Sequence, residues 1–169
     1  VKTLDKVLSN IRQMINNSRS LTFELSSPIL YELGLEKALE WLAEHTSEQY
    51  NIKVAFEDDM QEKPLDDDMK VLLYQAVREF LTNVAKHAQT QKASVSAKKV
   101  GSTIRICVED NGIGFKPRHK YSSGDQIEGF GLFRINERLE ELGGQLEIDS
   151  QTNHGTIVTM VAPLRTNGD

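Results

Sequence analysis

Cysteine is nearly absent: the 169 residues hold only Cys107, set in an alternating apolar run. A disulfide framework within the chain is therefore excluded, and a reducing, cytoplasmic setting is the simplest expectation. No apolar stretch approaches the ~20 residues needed to cross a bilayer, and the N-terminus lacks the charged-then-apolar order of a secretion signal. These residues are not expected to contact a membrane. Charge of one sign is also missing as a block. The 25 acidic and 20 basic residues are interspersed and leave a net charge of −5, which provides no field to gather a polyanion, so nucleic acid is not expected as a partner. There is no internal repeat and no low-complexity tract. An initiator methionine is absent as well: the chain opens at Val1 already inside a helical pattern, which suggests a piece of a longer protein.

What is present suffices for one well-buried core, with 38% hydrophobic residues in a length typical of a single domain. Leu4, Val7, Ile11, Met14, Ser18, Leu21 and Leu25 recur alternately three and four apart, a heptad seam that Leu8 and Ile15 widen. Such a helix either seeks a partner helix or lies as an ordinary amphipathic helix on its own domain. Pro28 is expected to end it, because the residue before a proline is pushed out of the helical region. A second helix is read from Gly34 to about Ser47, a strand from Asn51 to Phe56, and a long helix from Asp66–Asp68 to Ala88. Two β-rich runs, 93–100 and 103–109, flank Gly101-Ser102 as a hairpin. After a glycine-punctuated loop come a helix over 132–142, stopped by Gly143-Gly144, and strands over 145–150 and 155–162 around Thr152-Asn153. This order predicts an α/β (α+β) sandwich of two layers, a sheet with helices on one face, because no βαβ repeat runs through it to cover both.

Three constellations could carry chemistry. On the long helix Glu79 and Asn83 are four apart and share a face, which Lys86 and His87 continue. At about 100° per residue Asn83 falls at the edge of the apolar arc, half buried, where a hydrated magnesium ion with phosphate oxygens would satisfy it. A nearby backbone group would satisfy it equally well. Asp110-Asn111-Gly112-Ile113-Gly114-Phe115 follows the end of a strand. A carboxylate there, beside glycines that permit close approach, can accept a hydrogen bond from an exocyclic amine such as adenine's, although the same string is also ordinary turn chemistry. Gly129-Phe130-Gly131-Leu132 opens the next helix, whose free amides suit phosphate, or it is only a loop end. Residues 116–128 between the second and third constellations, with Ile127 as the sole aliphatic side chain, read as a lid that a ligand orders.

Together these residues resemble the histidine-kinase branch of the ATPase superfamily that includes gyrase, a heat-shock chaperone and a mismatch-repair protein. Gln75 to Ala88 resembles that family's asparagine box, Asp110 to Gly114 its first glycine box, Gly129 to Leu132 its second, and Gly155-Thr156 the Gly-Thr that closes the adenine pocket. The resemblance implies a Bergerat-type fold with a mixed, mainly antiparallel sheet, and ATP and Mg2+ as ligands. Asn83 would bind the metal, Glu79 would act as the polarising catalytic carboxylate, and Lys86 or His87 would lie near the phosphates. Asp110, Gly112, Gly114 and Thr156 would form the adenine pocket, while Gly129, Gly131 and Leu132 would meet phosphate through backbone amides.

Ser27-Pro28 through Leu39 is similar to the junction of the nitrate-sensor and degradation-regulator type of kinase. Residues 1–27 would then be the second helix of a dimerisation hairpin and 28–169 the catalytic domain. The implied partners are the kinase's own hairpin, which carries the phosphoacceptor histidine, and a response-regulator receiver domain, with homodimerisation in the full-length protein. A membrane anchor elsewhere in that protein stays open. The acceptor itself is not expected among His45, His87, His119 and His154, none of which lies on such a helix. Two alternatives remain at this point: a serine kinase of the anti-sigma type, and a degenerate interaction module.

Overall fold

The computed structural model describes residues 28–115 and 130–165. Pro28 opens a helix: α1 (Pro28–Leu33) starts with it, as suits a residue whose missing N–H would have no partner in a first turn. The heptad helix expected over residues 1–27 lies outside the described residues. Gly34, at φ 90°, separates α1 from α2 (Leu35–Tyr50), which closes on Asn51 in the left-handed region at φ 55°. Strand β1 (Lys53–Asp58) leads into α3 (Asp67–His87), which carries Asp67 and Asp68 in its first turn and Lys86 and His87 in its last, each complementing the helix dipole.

The hairpin of β2 (Lys92–Val100) and β3 (Thr103–Asp110) turns on Gly101-Ser102 as expected. Helix α4 (Phe130–Glu141) ends in a Schellman motif: the Gly144 amide donates to Leu139 O at 2.8 Å and the Gly143 amide to Glu140 O at 3.0 Å, with Gly143 at φ 77°. Strands β4 (Gln145–Gln151) and β5 (Gly155–Pro163) are the last elements among the described residues.

The sheet order is β1-β2-β3-β5-β4, with β1 and β2 parallel and every other pair antiparallel. The parallel pair is joined through α3, the crossover that parallel neighbours require. One sheet face is covered. Ala93, Val95, Ala97, Ile104, Ile106, Val108, Val158, Met160 and Ala162 are buried toward the helices, whereas their alternates Ser94, Ser96, Cys107 and Thr159 keep contact with solvent. Helix α3 lays Leu73, Val77 and Leu81, all fully buried, against β2, β3 and β5, each burial worth about 2 kcal/mol. Helix α2 packs on α3 and β1, and α4 on α3 and β4. The expected two-layer sandwich with a mixed, mainly antiparallel sheet is the architecture found.

The connection from β1 to α3 is tied down by a buried charge. The Lys63 side chain is fully buried and its ammonium contacts Asp58 and Asp59 at 2.6 Å each, donates to Gln61 O at 2.9 Å, and lies 3.9 Å from Glu36. Burial alone would lower the lysine's pKa, but hydrogen bonds to Asp58 and Asp59 outweigh it and leave the pKa raised. The same hydrogen bond holds Asp59 down to about 2. Asp59 also accepts the Lys99 amide at 2.7 Å, so the loop is stapled to the β2 side of the hairpin.

Candidate functional site

The site is built where β3 ends beside the C-terminus of α3. Asp110, the last residue of β3, is only 5% exposed. Its Oδ1 accepts the Gly112 amide at 2.7 Å, and across the strand register from β5 it faces Thr156. Burial raises the pKa of its carboxyl, against the Gly112 amide and the Thr156 hydroxyl, which both favour the ionised form. One oxygen is thus committed to Gly112. The acceptor capacity that remains suits a donor from outside the loop.

The loop after Asp110 docks on α3 through backbone. The Ile113 amide donates to Ala88 O at 2.8 Å, just past the end of the helix. A Cβ on Gly112 would lie 2.1 Å from that same oxygen and 2.7 Å from Asp110 Oδ1, so only glycine fits. Gly114, at φ 55°, approaches the β4–β5 turn, where a Cβ would meet Gln151 O at 2.2 Å; Ile113 O in turn accepts the Asn153 amide at 2.7 Å. The close approach that these glycines permit is therefore, in the first place, by the protein's own backbone. Gly155 (φ 81°) packs on Asp110 in the same way, its Cβ position only 2.0 Å from Asp110 O. Beside the carboxylate the loop leaves Ile113 and Phe115 apolar and 41% and 43% exposed.

The asparagine constellation stands on the helix to which this loop is anchored. Glu79 and Asn83 are both half-buried on α3, as their place at the edge of the apolar arc predicts. Asn83 lies five residues before Ala88, roughly 7 Å along the axis. Lys86 and His87 are exposed in the last turn. Gly131 and Leu132 fall in the first turn of α4, the helix that packs along α3. Gly129, His119 and the lid over 116–128 lie outside the described residues. The remaining histidines are exposed: His45 stacks on Trp41 with ring centroids 4.8 Å apart, and His154 turns its Nδ1 to Thr152 O at 3.0 Å.

Sequence reasoning missed one member. Ser150 on β4 is buried and joins the loop to β5: it accepts the Phe115 amide at 2.9 Å, donates to Gly155 O at 3.1 Å and lies 3.0 Å from Thr156 Oγ1. Its signal was legible, since the inward alternation Leu146, Ile148 reaches a hydroxyl where an aliphatic side chain would be expected.

Among the described residues no cluster of three or more His, Cys, Asp or Glu could hold a metal, and no helix is long and apolar enough to cross a membrane. Residues 68–166 match the family described as Histidine kinase-, DNA gyrase B-, and HSP90-like ATPase. The chain is 33% identical over 165 residues to the oxygen sensor histidine kinase NreB of Staphylococcus carnosus, which covers 96% of this chain and 45% of that protein. It thus spans less than half the length of that relative. Its fold is similar to the histidine kinase domain of the blue-light activated histidine kinase of Erythrobacter litoralis (TM-score 0.60, 23% identity, 77% of this chain and 61% of that one). It is also similar to the catalytic domain of histidine kinase ThkA (TM-score 0.61, 20% identity, 77% and 91%). On the family match, which extends from the first turn of α3 past the last strand, the chain belongs to the histidine kinase-, DNA gyrase B- and HSP90-like ATPases.

Proposed function

We propose that this chain binds Mg-ATP and that, in the full-length protein, it transfers the γ-phosphoryl group to a histidine on a helix hairpin, from which a response-regulator receiver domain takes it. The observation that carries the reading is the buried Asp110 carboxylate, held by the Gly112 amide and faced by Thr156, at a loop anchored to the end of the helix that bears Asn83. Such a carboxylate discriminates for an amine donor, and adenine has one. Ile113 and Phe115 add exposed apolar surface of the kind a purine face covers.

The donor set fits magnesium. Two half-buried polar side chains on one helix face, with no cluster of carboxylates or histidines among the described residues, match an ion that keeps its waters and takes its other ligands from substrate phosphates. Asn83 would hold it, and when bound the ion neutralises charge on the phosphates. Glu79 would orient and polarise the attacking group. Lys86 and His87, exposed at the helix end, would lie near the phosphates, and backbone amides of Gly129, Gly131 and Leu132 would receive them at the α4 N-terminus. Transfer would then be a matter of positioning and charge compensation, with little covalent chemistry left to the protein.

We assign 28–169 to the catalytic domain and 1–27 to the second hairpin helix. The family match begins at residue 68, yet Leu30, Leu35, Leu39 and Leu42 bury themselves in the same core, which supports a boundary at 28. The setting would be cytoplasmic and the full-length protein a homodimer through its hairpins. The test is incubation of this chain with γ-labelled ATP and the kinase's hairpin supplied separately. Acid-labile label on a hairpin histidine is expected; acid-stable label on a serine would replace the histidine-kinase reading with the serine-kinase one.

A further inference from the structure

Ser150 has one proton and three neighbours. Its oxygen accepts from the Phe115 amide, and its proton can go to Gly155 O, 3.1 Å away, or to Thr156 Oγ1, 3.0 Å away. Thr156 likewise has one proton to place, on Ser150 Oγ or toward the Asp110 carboxylate that it faces across the β3–β5 register. The two hydroxyls therefore have two joint settings. In one, Ser150 donates to Gly155 and Thr156 donates to Ser150, leaving Asp110 with the Gly112 amide as its donor. In the other, Ser150 donates to Thr156 and Thr156 is free to donate to Asp110. Only the second gives the carboxylate a second donor, and in it the Ser150 proton occupies Thr156 Oγ1 and so turns the Thr156 proton away from Ser150 and toward Asp110. Ser150 is 9% exposed, so water does not easily replace it.

We propose that Ser150 is a positioning residue for base recognition: through Thr156 it sets the hydroxyl that faces Asp110, and through the Phe115 amide it ties down the far end of the loop that Asp110 begins. This rests on the reading of Asp110 as the adenine carboxylate. The consequence is that discrimination for the purine amino group depends on a side chain placed one residue beyond that carboxylate's own partner.

The test compares the affinity of the whole 169-residue chain for ATP and for purine ribonucleoside triphosphate, which lacks the 6-amino group, in Ser150→Ala, Thr156→Val, the double variant and Asp110→Ala. Ser150→Ala should lose about fivefold in ATP affinity, the worth of one neutral hydrogen bond, and less than about twofold for the analogue. Thr156→Val should narrow the ratio similarly, and the double variant should narrow it no further, because the two residues act in one chain. Equal losses for both nucleotides, as a general loosening of the loop would produce, or a ratio unchanged from the parent, would overturn the proposal. Asp110→Ala separates the two failures. A ratio that collapses there but survives in Ser150→Ala overturns the role of Ser150 alone, whereas a ratio that survives in Asp110→Ala overturns the adenine reading and this inference with it.

Discussion

Substituting Gly112 by alanine isolates the contact on which the site depends. Its φ is not positive, so alanine meets no backbone penalty there; the obstacle is space. The new methyl would sit 2.1 Å from Ala88 O, and the loop must retreat by roughly 1.3 Å to restore an ordinary carbon–oxygen contact. That retreat stretches two hydrogen bonds past their useful range, Ile113 N to Ala88 O at 2.8 Å and Gly112 N to Asp110 Oδ1 at 2.7 Å. At about 1 kcal/mol each, with about 1–2 kcal/mol of residual overpacking, the cost is about 3–4 kcal/mol. For a chain of this length that lowers Tm by roughly 6–16 °C. Gly101→Ala is the control. Gly101 has φ 61° and nothing within 4 Å of its Cβ position, so it bears only the left-handed penalty of about 1–2 kcal/mol. Paired thermal melts and ATP titrations check the argument. Gly112→Ala should melt well below Gly101→Ala and lose ATP affinity at least about tenfold, since Asp110 loses its bracing. Equal melting shifts with ATP affinity intact would refute it.

Asp110→Asn should separate stability from binding. Burial raises the Asp110 pKa, so the folded state binds the proton more tightly than the unfolded one, and stability falls as pH rises from the ordinary carboxylate range through the folded pKa. Asparagine keeps an acceptor for Gly112 without the buried charge, so chemical denaturation at pH 7 should show the variant at least as stable as the parent, while ATP titration shows affinity lost; a clearly less stable variant would contradict the burial argument. Asp59 has the opposite sign: its pKa is lowered to about 2 by Lys63, so its contribution is present above the unfolded value near 4 and is lost as pH falls toward 2. Lys63→Ala leaves Asp58 and Asp59 facing each other without their cation and should cost on the order of 3 kcal/mol in urea unfolding at pH 7; a cost near zero would make the cluster ornamental. Asn83→Asp should change the magnesium-dependent part of ATP binding and spare the magnesium-independent part, read by titration with and without the ion.

Much of this arrangement was readable because it is local. The apolar period of α3, the alternation of β2 and β3 around Gly101-Ser102 and the Gly143-Gly144 stop each depend on a dozen residues or fewer, and each lies within two residues of its expected place. The misses are non-local or too short for a period. Helix α1 has six residues, and Pro28, a stop for the segment before it, is by the same ring a favourable first turn for the one after. The parallel pairing of β1 with β2 depends on α3 carrying the chain back, which no property of Asn51 to Phe56 announces. That the oxygens of Ala88 and Gln151 stand where side chains on Gly112 and Gly114 would be is likewise a non-local packing that their own string does not announce. Lys63 carries no signal in the sequence, and only the turn that folds Asp58 and Asp59 around it explains its burial.

Whether Asp110 and Asn83 mark a Mg-ATP site is decided by calorimetric titration of this chain with a non-hydrolysable ATP analogue. The experiment is run with and without magnesium, beside Asp110→Ala. Saturable binding that magnesium strengthens, and that Asp110→Ala abolishes while its melting transition stays cooperative, is the expected result. Binding that is absent in the parent chain, or equal in the variant, would rule that site out.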